Sequence, residues 1–183
     1  MFQAGTNDIL LPLFKHRSFW FQQAYQHQIR SGNNPLAPAD FESLLKKMVE
    51  HIYENTDAQL ILPTIGCINE NLLAETNAEL FSYNSIIRKV ANEFNCILAD
   101  TAEKFQEELS RRKTQDYCME NFQSTAFFDS ISCSLGLADR LSKKRKLHLT
   151  IDGVHLNSKG ANIYKNEIEK AILLSKEEIL LYI

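Results

Sequence analysis

The chain has 183 residues, a formal net charge of −3 and 44% hydrophobic side chains, a length that fits one domain and an apolar share ample for its core. The mild acidity argues against general nucleic-acid binding, which needs a strongly basic face, and no apolar run approaches the roughly 20 residues of a membrane-spanning helix. Met1-Phe2-Gln3-Ala4-Gly5 shows no basic region leading into an apolar stretch. No signal peptide is therefore visible, and a cytoplasmic location is the default expectation, one that residues ahead of Met1 would reopen. Cys67, Cys96, Cys118 and Cys133 form no C-x-x-C pair. A zinc site is not expected, and the four are read as buried or half-buried free thiols of a reducing compartment.

Gly5-Thr6-Asn7-Asp8 leads towards a loop or irregular helix, rich in aromatics and Gln, from Phe19 to Ile29, and Ser31-Gly32-Asn33-Asn34-Pro35 is a turn cluster. Asp40 is the expected cap of a helix over about 41–53, where Phe41, Leu44, Leu45, Met48, Val49 and Ile52 recur at helical spacing. Ala58–Leu62 reads as a buried strand ended by Pro63. A second helix, from about Thr76 to Phe94, carries Leu80, Tyr83, Ile87, Val90 and Phe94 as its apolar stripe, and Cys96–Ala99 is another short buried strand. Asp100-Thr101-Ala102-Glu103 is a capping box that opens a third helix, with Phe105 and Leu109 facing inward. Strands and helices alternating through short links predict parallel βαβ units and a layered α/β fold. From about Arg111 to Leu147 the pattern weakens. This stretch holds Phe122, Phe127 and Phe128, then the basic run Lys143-Lys144-Arg145-Lys146, read as a solvated loop. A last helix follows Gly160, with Ile163, Ile168, Ala171 and Ile172 on its inner side.

Two segments carry chemistry. Taken alone, Gly5-Thr6-Asn7-Asp8 is a turn in which Asn7 and Asp8 bond nearby backbone. Asp152-Gly153-Val154-His155-Leu156-Asn157-Ser158-Lys159-Gly160 is more specific. An aspartate three residues before a histidine can accept from the imidazole Nδ1–H. That bond selects the tautomer whose Nε2 accepts a proton, and it stabilises the imidazolium that forms. Gly153 allows the tight backbone path between the two. The plain alternative is a turn before a helix, with His155 a satisfied polar residue.

In this order, with βαβ units between them, the two segments resemble the SGNH (GDSL-type) hydrolases. That family carries its nucleophile in a G-D-S block, an oxyanion-hole glycine in a second, G-x-N-D in a third and D-x-x-H in a fourth. Gly5-Thr6-Asn7-Asp8 matches the third. Asp152 and His155, followed by Asn157 and Gly160, match the fourth, and residues 78–91 look like the family's helix before its last strand. The resemblance implies a three-layer α/β sandwich with a parallel sheet, SGNH or flavodoxin-like, and hydrolysis of a carboxylic ester. Asp152 would orient His155 as the base and Asn7 would donate to the oxyanion, with Gly5, Asp8 and Gly153 as structural support. No metal or cofactor is implied, and the substrate would be a small-molecule, lipid or carbohydrate ester.

The remaining blocks are not present. No G-D-S occurs in the chain and only four residues precede Gly5, where the family places two strands and part of a third. Ser18, Ser31, Ser43, Ser124 and Ser134 sit in no glycine-supported strand-to-helix turn. The expectation is an N-terminally truncated member, whether a gene fragment, a mispredicted start or a shortened form. Residues 1–183 would be one domain, the C-terminal part of the family fold, with an insertion at about 111–147. Its first strands and nucleophile block would be missing and a sheet edge exposed. A catalytically inactive remnant or a partner-binding module is the alternative. A metallophosphoesterase would need D-x-H and G-N-H ligand motifs, and neither occurs here. Nothing in the sequence selects the substrate or the oligomeric state.

Overall fold

The computed structural model describes residues 1, 3–121 and 128–180, with side chains as far as residue 175. Phe122, Ser124 and Phe127 lie outside the described residues. The chain opens on α1 (Thr6–Lys15), α2 (Phe19–Arg30) and α3 (Pro38–Asn55). Sequence pattern does not predict α1, because Ile9, Leu10 and Leu11 form a continuous run rather than a periodic one and Pro12 lies inside the helix. All three are buried, so the helix is held by packing rather than by propensity. α2 is a regular helix, not the loop or irregular helix expected. Its anchor is Phe21, fully buried with its ring centroid 4.9 Å from that of Phe14 and Arg17 over it at 5.4 Å. Phe19 and Trp20 remain exposed. α3 starts at Pro38, whose fixed φ suits the first helical position. Asp40 is therefore not the cap. It lies in the first turn, where a carboxylate favours the positive end of the helix dipole. Phe41, Leu45 and Val49 form the buried face. Leu44, about 100° round the helix from Leu45, is exposed.

The two predicted strands are adjacent and parallel. β1 (Ile61–Pro63) pairs with β2 (Ile97–Ala99), Ile61 opposite Ile97 and Pro63 opposite Ala99. β1 is shifted towards Pro63 relative to the expected segment. Helix α4 (Glu75–Glu93) makes the crossover, burying Leu80, Tyr83, Ile87 and Val90 as its stripe requires. After β2, Asp100 caps α5 (Thr101–Ser110) by accepting from the Glu103 amide at 3.3 Å. The same carboxylate takes a bidentate pair from Arg88 at 2.7 and 2.9 Å, which ties α4 to the start of α5. α6 (Ser130–Ser134) and α7 (Ala138–Lys144) are short, and α8 (Ser158–Leu180) ends the described chain.

Helices cover both faces of the sheet. Leu60 and Leu62 join Phe41, Leu45, Val49, Tyr83, Ile87 and Val90 in the main core with Ile9 and Leu10 of α1. On the opposite face Ile61 and Ala99 pack against Ala171 and Ile168 of α8. Ile172, expected on the inner side, is 40% exposed, whereas its neighbour Ala171 is buried. α5 joins α8 through Phe105, which is buried and meets Tyr164 edge-on at 5.6 Å. This is the helix–sheet–helix layering of an α/β sandwich, with two paired strands among the described residues. No described helix is long and apolar enough to cross a membrane.

The basic run is not a uniformly solvated loop. Lys143 and Lys144 end α7 and are exposed, but Arg145 turns inward. It pairs with Asp129 at 2.8 Å, donates to the Ile151 carbonyl at 2.7 Å and lies 5.2 Å over the Tyr117 ring. Cys67, Cys96 and Cys118 are buried free thiols, while Cys133 is exposed.

Candidate active site

The segment 149–157 folds back on itself. Thr150 and Leu156 form an antiparallel bridge, the Ile151 amide donates to the His155 carbonyl at 2.8 Å, and the Asn157 amide donates to the Leu149 carbonyl at 3.0 Å. Asp152 lies within this turn and is wholly buried. One carboxylate oxygen accepts from the Val154 and His155 amides at 3.0 and 2.8 Å. The other lies 2.7 Å from His155 Nδ1. A carboxylate so held presents one tautomer of His155, with Nδ1–H towards Asp152 and Nε2 left as the acceptor. The His155 side chain itself is 61% exposed. Gly153 adopts φ +92°, and a Cβ there would lie 2.2 Å from the Tyr117 carbonyl oxygen. The turn then runs into α8, where Asn157 Oδ1 accepts from the Lys159 and Gly160 amides, both at 3.0 Å.

The other segment lies at the opposite end of the sequence. Gly5 precedes α1 with φ +104°, and a Cβ there would meet Ile65 at 3.0 Å. Asp8 does not bond its own turn. It accepts from the Leu36 amide at 2.8 Å and so ties α1 to the start of the α3 segment. Asn7 is exposed, and its side-chain amide bonds to none of the described residues. Asn7 and His155 nevertheless line one cleft of about 400 Å³, together with Ile65, Cys67, Leu156 and Tyr164.

Among the described residues no hydroxyl hydrogen-bonds His155 Nε2. Ser31, Ser85, Ser110, Ser134 and Ser175 each donate their hydroxyl to a carbonyl three or four residues back, and Ser142 Oγ donates to the Leu147 carbonyl at 3.1 Å. Cys67 is the one thiol on the cleft. Burial pushes it well above the ordinary thiol range, and Glu70 and Cys118 add to the effect, so it is not a ready nucleophile. No group of three or more described His, Cys, Asp or Glu side chains converges as a metal site.

A family model for GDSL-like lipases and acylhydrolases matches residues 1–168. The chain belongs to that family. No curated protein matches this GDSL-family chain, but three solved structures do. LAE5, an alpha/beta hydrolase enzyme from the metagenome of Lake Arreo, Spain, is 18% identical with TM-score 0.56 over 92% of this chain and 56% of its own. The acetyl xylan esterase AlAXEase is 20% identical with TM-score 0.53 over 92% and 64%. A mutant of Axe2, an acetyl-xylooligosaccharide esterase from Geobacillus, is 16% identical with TM-score 0.57 over 93% and 57%. At these identities the likeness is one of fold. The GDSL-family chain spans between 56% and 64% of the length of these proteins.

Sequence reasoning missed several residues around this cleft. Tyr164 accepts from the Gly66 amide at 2.8 Å and from Gln3 at 3.1 Å, which joins α8 to both the β1 loop and the N-terminal segment. Only a helical offset from Ser158 places it, and nothing local marks it as polar-facing. Glu70 and Thr150 were missed for the same reason: their contact spans 80 residues of sequence.

The electrostatics of the pair follow from its geometry. His155 is raised above its ordinary 6.5, chiefly by its hydrogen bond to Asp152, with partial burial opposing. Burial works to raise Asp152, but the His155 ring and the His155 and Val154 amides outweigh it and hold the carboxyl below its ordinary range. The raised histidine contributes stability that is present below 6.5 and lost as pH rises through its folded midpoint. The depressed carboxyl contributes stability present above the ordinary carboxylate range and lost as pH falls through its own folded midpoint. The difference in urea stability between the protein and His155→Gln is therefore expected to shrink on the alkaline side of pH 6.5. A difference that instead grows with pH in that range would contradict the pairing.

Proposed function

We propose that this GDSL-family chain supplies the acid–base arm and an oxyanion donor of a serine ester hydrolase acting on short acyl esters. The observation that carries the reading is the joint presence of Asn7 and His155 on one cleft, from opposite ends of the sequence, with Asp152 2.7 Å from His155 Nδ1. A serine hydroxyl supplied from a G-D-S block would attack the acyl carbonyl while His155 Nε2 takes its proton. The imidazolium formed, steadied by Asp152, returns that proton to the leaving alcohol. Water activated by the same nitrogen then releases the acid and the free serine. Asn7 Nδ2 would donate to the oxyanion. Two of the similar structures are described as an acetyl xylan esterase and an acetyl-xylooligosaccharide esterase. A cleft of about 400 Å³ suits such a small acyl group on a carbohydrate.

Joined to a G-D-S-bearing strand and the glycine-bearing segment of an intact family member, the chain is expected to hydrolyse acetyl esters. Asn7→Ala should then lower kcat by roughly 10²- to 10³-fold with little change in KM, because the amide acts on charge that develops only in the transition state. A rise in KM at constant kcat would assign Asn7 to substrate binding and remove it from the oxyanion site. That no hydroxyl among the described residues bonds His155 Nε2 favours a second reading, a module without turnover of its own.

A further inference from the structure

Glu70 is wholly buried in the loop that follows β1. Among the described residues it forms no ion pair, yet its carboxylate accepts four hydrogen bonds. One oxygen takes the His148 amide at 2.7 Å. The other takes the Leu149 amide at 2.7 Å, the Thr150 amide at 2.8 Å and the Thr150 hydroxyl at 2.8 Å. Burying a lone carboxylate is costly unless donors replace its water. An amide side chain could brace a loop with less to desolvate, but it accepts on one atom only and would turn its NH2 against an N–H. Three consecutive amides and a hydroxyl, all donating, are a site that a carboxylate fits and glutamine does not.

The tether continues into the turn. Having donated to Glu70, the Thr150 hydroxyl accepts from the Gly153 amide at 3.1 Å. Asn69, next to Glu70, donates its own amide to the Gly153 carbonyl at 2.7 Å. Asp152 is thus flanked on both sides by residues anchored to positions 69 and 70, and its carboxylate meets His155 Nδ1 from that fixed frame. Glu70 does not line the Asn7–His155 cleft. It acts through other residues and touches no reacting atom.

We propose that Glu70 is the positioning residue of the Asp152–His155 pair, acting through the Thr150 hydroxyl to hold the turn in which Asp152 meets His155 Nδ1. The proposal rests on the hydrolase reading of that pair, but its test reads the pair itself and needs no turnover. The charged groups acting on His155 are Asp152 and, behind it, Asp129. Loosening the turn dilutes the Asp152 contact and leaves Asp129 in place.

The experiment is a pH titration of the histidine ring signals by NMR in the 183-residue protein, with Glu70→Gln, Thr150→Val and Thr150→Ser compared with the parent. The His155 midpoint of the parent should lie above that of an ordinary imidazole. Glu70→Gln and Thr150→Val should each remove about half or more of that elevation, while Thr150→Ser, which keeps the hydroxyl, retains it. A purely structural Glu70 would lower the melting temperature and leave the His155 midpoint of the folded protein unchanged. That result, in dispersed spectra of Glu70→Gln and Thr150→Val, overturns the proposal. Should Glu70→Gln not fold, the contrast between Thr150→Val and Thr150→Ser decides alone: equal midpoints overturn it, unequal ones in the stated order support it. A parent midpoint no higher than that of an ordinary imidazole overturns the pair itself, and the hydrolase reading with it.

Discussion

His155→Ala is expected to lower kcat for p-nitrophenyl acetate by roughly 10⁴- to 10⁶-fold in the chain completed with a G-D-S-bearing segment. Without the imidazole no group within reach of the serine takes its proton, and none returns a proton to the leaving alcohol. Asp152→Asn should cost about 10⁴-fold, since an amide in place of the carboxylate would favour the wrong tautomer at the 2.7 Å contact with Nδ1. The two losses should not add, because both disable one proton-transfer unit. The 183-residue chain alone should show no turnover beyond that of free imidazole. The acid limb of kcat/KM in the completed enzyme should lie above pH 6.5, the ordinary value for histidine, because Asp152 raises His155 and the base must be neutral to act.

Gly153→Ala is expected to destabilise the fold by about 3 kcal/mol or more. Two independent costs coincide there. The backbone sits at φ +92°, where a Cβ is strained whatever space it has. That Cβ would also fall 2.2 Å from the Tyr117 carbonyl oxygen and 2.9 Å from Cys118 Cα, both backbone atoms with no rotamer to yield. The Tyr117–Met119 segment cannot simply retreat. Arg17 holds its Cys118 and Met119 carbonyls at 2.5 and 2.7 Å, and the Met119 amide donates to the Asp152 carbonyl at 2.8 Å. Urea unfolding of the variant should show the loss as a lower midpoint at unchanged slope. A midpoint equal to that of the parent would mean that the turn accommodates a side chain and that its tightness is not required.

The fold was legible where hydrophobic period and local capping chemistry agree. Residues 61–63 and 97–99 are short apolar runs set off by turn residues, and between them Leu80, Tyr83, Ile87 and Val90 mark one helical face; the parallel pair and its crossover follow from that pattern. Asp100 declared α5 through its spacing to Glu103. α1 escaped because Pro12 and the unbroken Ile9-Leu10-Leu11 run obey no helical template, and tertiary burial decides it instead. Asp40 misled because Pro38 can open a helix by itself. The charge run alone places Arg145 with its lysine neighbours in solvent. Its partners Asp129, Ile151 and Tyr117 come from three other stretches, and charge runs say nothing about which member folds inward.

At the site, the sequence showed the residues whose chemistry is local. The Asp152-to-His155 spacing already contains the carboxylate–imidazole bond, and the glycine between them already implies the turn. The supports that act at a distance left no trace. Glu70 reads as one more surface carboxylate until the fold brings residues 148–150 onto it, and Tyr164 and Gln3 meet only across α8 and the N-terminal segment. The common shore of Asn7 and His155 was predictable only through family resemblance, since nothing in either segment refers to the other.

The measurement that bears most directly on the hydrolase reading is a pre-steady-state mix of the completed chain with p-nitrophenyl acetate, read by p-nitrophenolate release and by mass spectrometry of the quenched protein. A stoichiometric burst is expected, with the acetyl group on the supplied G-D-S serine, and His155→Ala should abolish both. An undiminished burst in His155→Ala would contradict the account. So would acetylation of a serine within the 183 residues that the unmodified chain also turns over and that depends on His155.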